Sequence, residues 1–317
     1  MNKPQEDSLS LIPILAGVSV SIIFGFSFLF SRTALERITP FQLLGFRFLT
    51  AAILLQILKT LRIIRINLKG KNISSLLVLS LVQPGMYFIF EAYGLKFATS
   101  SEAGIMISLI PIVVTIFAYF FLDEKANWKQ WLFILSSVAG VSLIVLMKST
   151  ASISGNILGL LLLLGAVTAG GFYNIQSRKS SLNFKPIEIT YIMMWFGTIL
   201  FNSLALIEQS LKGDVVNYFK PLLSLPTLIS ILYLGTLSSV VAFFFVNFML
   251  SKIAASRSSV FGNLTTVVSI IAGVFIKNEP FHWYHIAGSA MILLGIWGTN
   301  YFAERKRRNI ALEQHEF

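Results

Sequence analysis

The chain has 317 residues, 55% hydrophobic and only 12% charged, with a mean hydropathy of +0.77, which excludes an ordinary soluble globular protein and places it in a bilayer. The net charge of +11 would suit nucleic acid, but the basic residues sit in short connections and the tail, the pattern of membrane topology. No cysteine occurs, so disulfides, thiolate chemistry and Cys-ligated metals are excluded.

Residues 1–10 form a polar tail. Ten apolar runs follow, at 11–31, 41–58, 73–95, 103–122, 128–147, 157–177, 186–207, 228–250, 258–276 and 281–302. Each is close to the roughly 20 residues a helix needs to cross hydrocarbon. None shows strand-length alternation, so the reading is an all-α membrane protein rather than a barrel. The first run lacks a small-residue cleavage site and reads as a retained helix. With the N-terminus cytoplasmic, 17 of the 25 Lys and Arg residues fall in inside segments and 7 outside, Arg47 being within a helix. That excess predicts both termini in the cytoplasm, with the basic runs 59–71 and 305–308 as anchors near anionic lipid.

Helix 1 carries Gly17, Ser21 and Gly25 on a small face, and Gly165 and Ala169 form another in helix 6; each suits dimerisation or internal packing equally. Thr39-Pro40 is an N-cap followed by proline at the first helical position. Helix 2 holds Arg47, about seven residues or roughly 10 Å deep, where a charge costs at least about 2.5–3.5 kcal/mol. Glu91 in helix 3 lies at a compatible depth. The pair is read as facing a polar cavity, to bind charged substrate groups or a coupling proton, or as a structural ion pair orienting helices 2 and 3. Pro84 and Pro111 interrupt helices 3 and 4, as a gate or as a fixed bend, with Gln83 beside the first. Glu102 completes a Thr99 capping box, Glu188 suits the first turn of helix 7, and Glu124 and Glu279 close mirrored loops by tying to the next helix.

The second half is richer in amides: Asn174 and Gln176, Asn202, Asn247 and Asn263. These suit either ligand binding or helix-to-helix bonding. Tyr87, Tyr173 and Trp195 are deep enough to stack on a ligand or to pack, while Trp128, Trp131, Trp283 and Tyr284 read as interfacial anchors. His282 and His285 lack a supporting ligand set, so interfacial solvation is expected and no metal or other cofactor. No phosphate loop or hydrolytic triad is present, so neither an enzyme nor ATP-driven transport is expected.

The chain repeats. At an offset of 155, Ser101, Glu124, Trp128 and Gly140 fall on Ser256, Glu279, Trp283 and Gly295; at 146, Gly25-Phe26, Ser31-Arg32 and Pro40 fall on Gly171-Phe172, Ser177-Arg178 and Pro186. About nine extra residues therefore lie in 208–226. Asn263 overlies Ser108, a pair expected at symmetric cavity positions. Five helices per half make the repeats inverted, a recurring transporter plan with a midplane site between halves. The divisions are a tail at 1–10, repeats at 11–150 and 151–302, and a basic tail at 303–317.

The run Lys96-Phe97-Ala98-Thr99-Ser100-Ser101-Glu102-Ala103, then Ser108-Leu109-Ile110-Pro111, Leu122-Asp123-Glu124-Lys125 and Gly140-Val141, with Arg47-Phe48 and Asn278-Glu279-Pro280, resembles the EamA-type domain of the drug/metabolite transporter superfamily. The resemblance implies a ten-helix inner-membrane carrier, commonly an exporter of amino acids or other small metabolites. Thr266 stands where Pro111 falls in the first half, so the halves are expected to bend differently. The expected function is metabolite export, with Glu91 as the carboxylate for proton coupling. The partners are a small metabolite, protons and the lipid bilayer, without nucleic acid. A sensor or assembly scaffold is the competing reading.

Overall fold

A computed structural model describes residues 11–121, 128–149, 155–252, 258 and 261–313. Among these there is no strand; besides two short 3-10 turns, Val215–Asn217 and Lys220–Leu223, the elements are ten long helices. They are α1 (Leu11–Leu35), α2 (Pro40–Thr60), α3 (Ser74–Phe97), α4 (Ser100–Ile107 and Ile110–Phe121), α5 (Trp128–Ser149), α6 (Gly155–Ser180), α7 (Pro186–Leu211), α8 (Leu225–Lys252), α9 (Phe261–Lys277) and α10 (Trp283–Glu313). Among the described residues, seven helices are long and apolar enough to span a membrane, and α5 and α9 hold shorter apolar stretches. α1 runs past the predicted end at 31, and α10 continues past 302 into the basic tail.

Local chemistry sets several starts. Thr39 Oγ1 accepts from the Gln42 amide at 3.3 Å while Gln42 Oε1 accepts from the Thr39 amide at 3.2 Å, with Pro40 first in the helix. Thr99 and Glu102 make the same reciprocal pair at 3.1 and 2.8 Å. Glu188 reaches back to the Lys185 amide at 3.0 Å and also takes Lys71 Nζ at 2.7 Å. Arg32 donates to the Ala98 carbonyl and Arg178, its counterpart, donates to the Leu250 carbonyl at 2.6 Å. Each arginine thus serves the C-terminal carbonyls of the third helix of its own half.

The architecture is two inverted repeats, α1–α5 and α6–α10. α2 packs on α7, α4 on α9 and α5 on α10, each on its own counterpart. The α3–α6 contact is matched by α8–α1, and α1–α9 by α6–α4. Exchange of the halves maps these contacts onto one another, as a pseudo-two-fold axis does. The small faces serve this packing: a Cβ on Gly17 would lie 2.5 Å from the Phe261 ring and one on Gly25 2.5 Å from Val268, while Ser21 Oγ donates to the Phe261 carbonyl at 2.7 Å. The Gly165 face meets Phe90 within the same chain. The face of the bundle where α1 starts is called near below, and the face where it ends, far.

Candidate functional site

Two broken helices frame the centre. In α3 the segment Leu81–Met86 widens to a π-helical turn, with Gln83 at φ −144°, ψ 115° before Pro84. In α8 the segment Tyr233–Ala242 is also π-helical, and at the 155 offset it contains the counterparts of 81–86. The proline foretold the first break. The second has no proline, and what the two share is position, each packed against the first and second helices of the opposite half. In α4 the break falls at Ser108-Leu109, and Pro111 sits in the first turn of the second segment, where its missing N–H costs little. α9 runs unbroken through Thr266, whose Oγ1 donates to the Gly104 carbonyl at 2.9 Å, so the halves do bend differently.

Arg47 is buried, and its partners come from the other half. Its Nε donates to Ser239 Oγ and its Nη2 to Ser238 Oγ, both at 2.8 Å, and the guanidinium lies 4.2 Å from the Phe88 ring centre. The α8 break presents those two hydroxyls. Of the two readings of Arg47 and Glu91, the structural ion pair does not form: no Arg47–Glu91 contact lies within 4.0 Å, because the guanidinium is turned toward α8. Glu91 is 4% exposed and has no direct hydrogen-bond partner among the described residues.

Both residues line a cavity of about 110 Å³ between the halves. A single buried water needs roughly 10–15 Å³, so several fit. Ser27 and Phe28 of α1, Gln83, Tyr87 and Phe88 of α3, Ile110 and Pro111 of α4, Tyr173 and Asn174 of α6, Phe243 and Met249 of α8, and Phe261 and Thr265 of α9 complete most of its wall. Counterparts face each other in it: Phe24 and Gly170, Ser27 and Tyr173, Phe28 and Asn174, Phe88 and Phe243, Ile107 and Gly262. The charges do not repeat. Met193 stands at the counterpart of Arg47 and Val246 at that of Glu91.

Of the residues singled out in the sequence, Arg47, Gln83, Tyr87, Glu91, Pro111, Tyr173 and Asn174 converge on the cavity, and Pro84 lies in the adjoining break. The others do not. Ser108 is fully buried and donates to its own Ile105 carbonyl at 2.6 Å, so it is not at a cavity position; the side chain of its counterpart Asn263 lies outside the described residues. Asn247 is a structural hub behind the wall. Its Oδ1 accepts from Tyr173 and Ser177, both at 2.8 Å, and its Nδ2 donates to Thr190 Oγ1 at 3.0 Å, joining α6, α7 and α8. Trp195 lies beside Tyr191, away from the cavity. Sequence reading missed Ser238 and Ser239, whose only signal is polarity within an apolar run.

On the far face the halves are tied together. Glu279 accepts from the Ser100 amide at 2.8 Å, the Ser101 amide at 3.0 Å and Ser101 Oγ at 2.8 Å, with Arg32 Nε 3.8 Å away. It caps α4 of the other half rather than the next helix, α10, because the two-fold packing of α4 on α9 brings it there. The mirrored Glu124 lies outside the described residues. Lys277 pairs with Glu36 at 2.6 Å and Thr39 donates to Glu208 at 2.8 Å. His285 is buried, with Nε2 3.6 Å from Glu102 Oε1 and its ring on Phe281, so the expectation of interfacial solvation fails for it; His282 is exposed. Among the described residues no three His, Asp or Glu side chains are grouped to hold a metal.

An inverted helical duplication enclosing a partly polar cavity between its halves is the plan of a polytopic membrane carrier. The model of the EamA-like transporter family matches residues 11–146 and 157–301, and the chain belongs to that family. It is 38% identical over 294 residues to the uncharacterized transporter YcxC of Bacillus subtilis, covering 93% of this chain and 94% of that one. An uncharacterized transporter of Archaeoglobus fulgidus is 29% identical over 285 residues, covering 90% and 95%. A crystal structure at 17% identity superposes with a TM-score of 0.60 over 92% of this chain and 98% of its own, a likeness of fold.

Proposed function

We propose that this membrane transporter is a secondary carrier that exports amino acids or other small polar metabolites across the plasma membrane by alternating access, with both termini cytoplasmic. The observation that carries this reading is the cavity walled by counterpart positions of both halves and holding Arg47 and Glu91. Its wall continues to Met249 in the last turn of α8 and Phe261 at the start of α9, both at the near face. The far face is tied by Glu279, Lys277 and Glu208 across the halves. The excess of basic residues in the near-side connections supports a cytoplasmic near face, from which this arrangement would accept substrate. The repeats 11–150 and 151–302 would move against one another, and neither a cofactor nor a nucleic acid enters the cycle.

Glu91 is the coupling group in this reading, since a buried carboxylate without a direct partner can exchange a proton for substrate. Purified protein in liposomes with an internal pH dye, challenged with a panel of amino acids, tests it. Substrate-dependent proton flux that Glu91→Gln abolishes is the expected result. Equal substrate movement without proton flux in both proteins would remove the coupling claim, and no movement by folded protein would remove transport.

A further inference from the structure

The cavity holds a mismatch of donors and acceptors. Arg47 spends two of its five N–H groups on Ser238 and Ser239 and its face on Phe88, so the protein provides for part of the cation. Glu91 has no direct partner among the described residues, and Gln83, also buried, has its Oε1 without one. Gln83, Tyr87 and Glu91 lie at four-residue steps along α3 and all reach the cavity. An acceptor buried without a donor costs free energy that a ligand recovers by supplying the donor. The remaining wall is aromatic and aliphatic.

We propose that Glu91 and Gln83 form a subsite for a protonated amine, with the Tyr87 ring as a cation–π wall, and that the recognised ligand is a small amine on an apolar or aromatic body whose carboxylate, when present, is dispensable. This rests on the transport reading of the same cavity and narrows it. An ammonium offers donors to the Glu91 carboxylate and, once the Gln83 amide turns its oxygen to the cavity, to that oxygen as well. An acid without an amine brings the wrong sign to Glu91 and leaves both acceptors unpaired.

The test is calorimetric titration of the full-length protein in nanodiscs with three probes of one body: phenethylamine, phenylalanine and 3-phenylpropionate. Phenethylamine is expected to bind at least as tightly as phenylalanine, and 3-phenylpropionate at least about tenfold more weakly, the scale of one hydrogen bond to a charged group. Glu91→Gln should weaken phenethylamine about tenfold or more and Gln83→Leu by a smaller factor. The proposal is overturned if 3-phenylpropionate matches phenethylamine, if folded wild type binds none of the three, or if Glu91→Gln changes phenethylamine affinity less than twofold. The probe series on wild type decides even where a variant misfolds. Counterflow of the bound probe in liposomes separates the two readings: binding without movement sinks transport and keeps the subsite, while movement without amine preference does the reverse.

Discussion

Replacing Glu279 by Gln should loosen the far face by a calculable amount. The carboxylate, 8% exposed, receives two backbone amides and one hydroxyl from the start of α4, at 2.8 to 3.0 Å, with Oε2 taking two of the three. Glutamine keeps one oxygen, loses the charge that favours a helix N-terminus, and turns an amide toward donors. One lost hydrogen bond to a charged group is about 1.5–3 kcal/mol and weakening of the others adds to it, so about 2–4 kcal/mol of far-face closure should disappear. The chain has no native cysteine, so Ser27→Cys, deep in the cavity and 3% exposed, gives a clean reporter. A membrane-impermeant thiol reagent applied from the far side should label it about 30-fold faster in the Glu279→Gln background, from the lower bound of that energy. A rate within twofold of the parent would refute the idea that Glu279 holds the two halves closed.

Arg47→Met copies the residue at its repeat counterpart, and loss of two charge-assisted hydrogen bonds should cost about 2–4 kcal/mol in denaturant unfolding, with Arg47→Lys failing to restore both contacts; full stability in Arg47→Met would show the hydroxyls to be incidental. Gly104→Ala places a Cβ 1.6 Å from Ser269 Oγ, so it should lower the melting temperature by the equivalent of about 1–3 kcal/mol, and Ser269→Gly on top of it should recover most of the loss. If the double variant is no better than the single, the α4–α9 contact is not the cause. Asn247→Leu strands the hydroxyls of Tyr173 and Ser177 and removes a donor from Thr190, which keeps its bond to the Pro186 carbonyl; it should destabilise by about 1–3 kcal/mol, read by thermal unfolding in detergent, where an unchanged midpoint would contradict the hub.

What could be seen in the sequence was what is local or periodic. The Thr99–Glu102 box closes within four residues, and the duplication announces itself through Ser31-Arg32 and Ser177-Arg178, whose arginines do equivalent work on α3 and α8. Arg47 stood out because an isolated charge in hydrocarbon demands an explanation. Its explanation lies 191 and 192 residues away in two serines, and an opposite charge nearby in sequence, Glu91, drew attention instead. Glu279 was legible as a cap but not the helix it caps, since that depends on how α4 meets α9. His285 carries no mark of burial, because the helix end that exposes Trp283 turns it inward onto Glu102. The α8 break is hidden for a related reason: it arises from a place in the fold rather than from a proline.

A strictly duplicated inverted scaffold has two end states of equal free energy, since exchanging the halves turns one into the other. Each residue that fails to repeat lifts that degeneracy. Here Arg47 answers to Met193 and Glu91 to Val246, and both departures fall in the first half. A carrier that alternates as proposed would therefore weigh its two orientations against each other with an unequal pair of arms. In the alternating-access cycle proposed above, whatever occupies the Glu91 side of the cavity, proton or ligand, shifts a balance that the shape alone would leave level, while the gradients across the membrane set the direction of net movement.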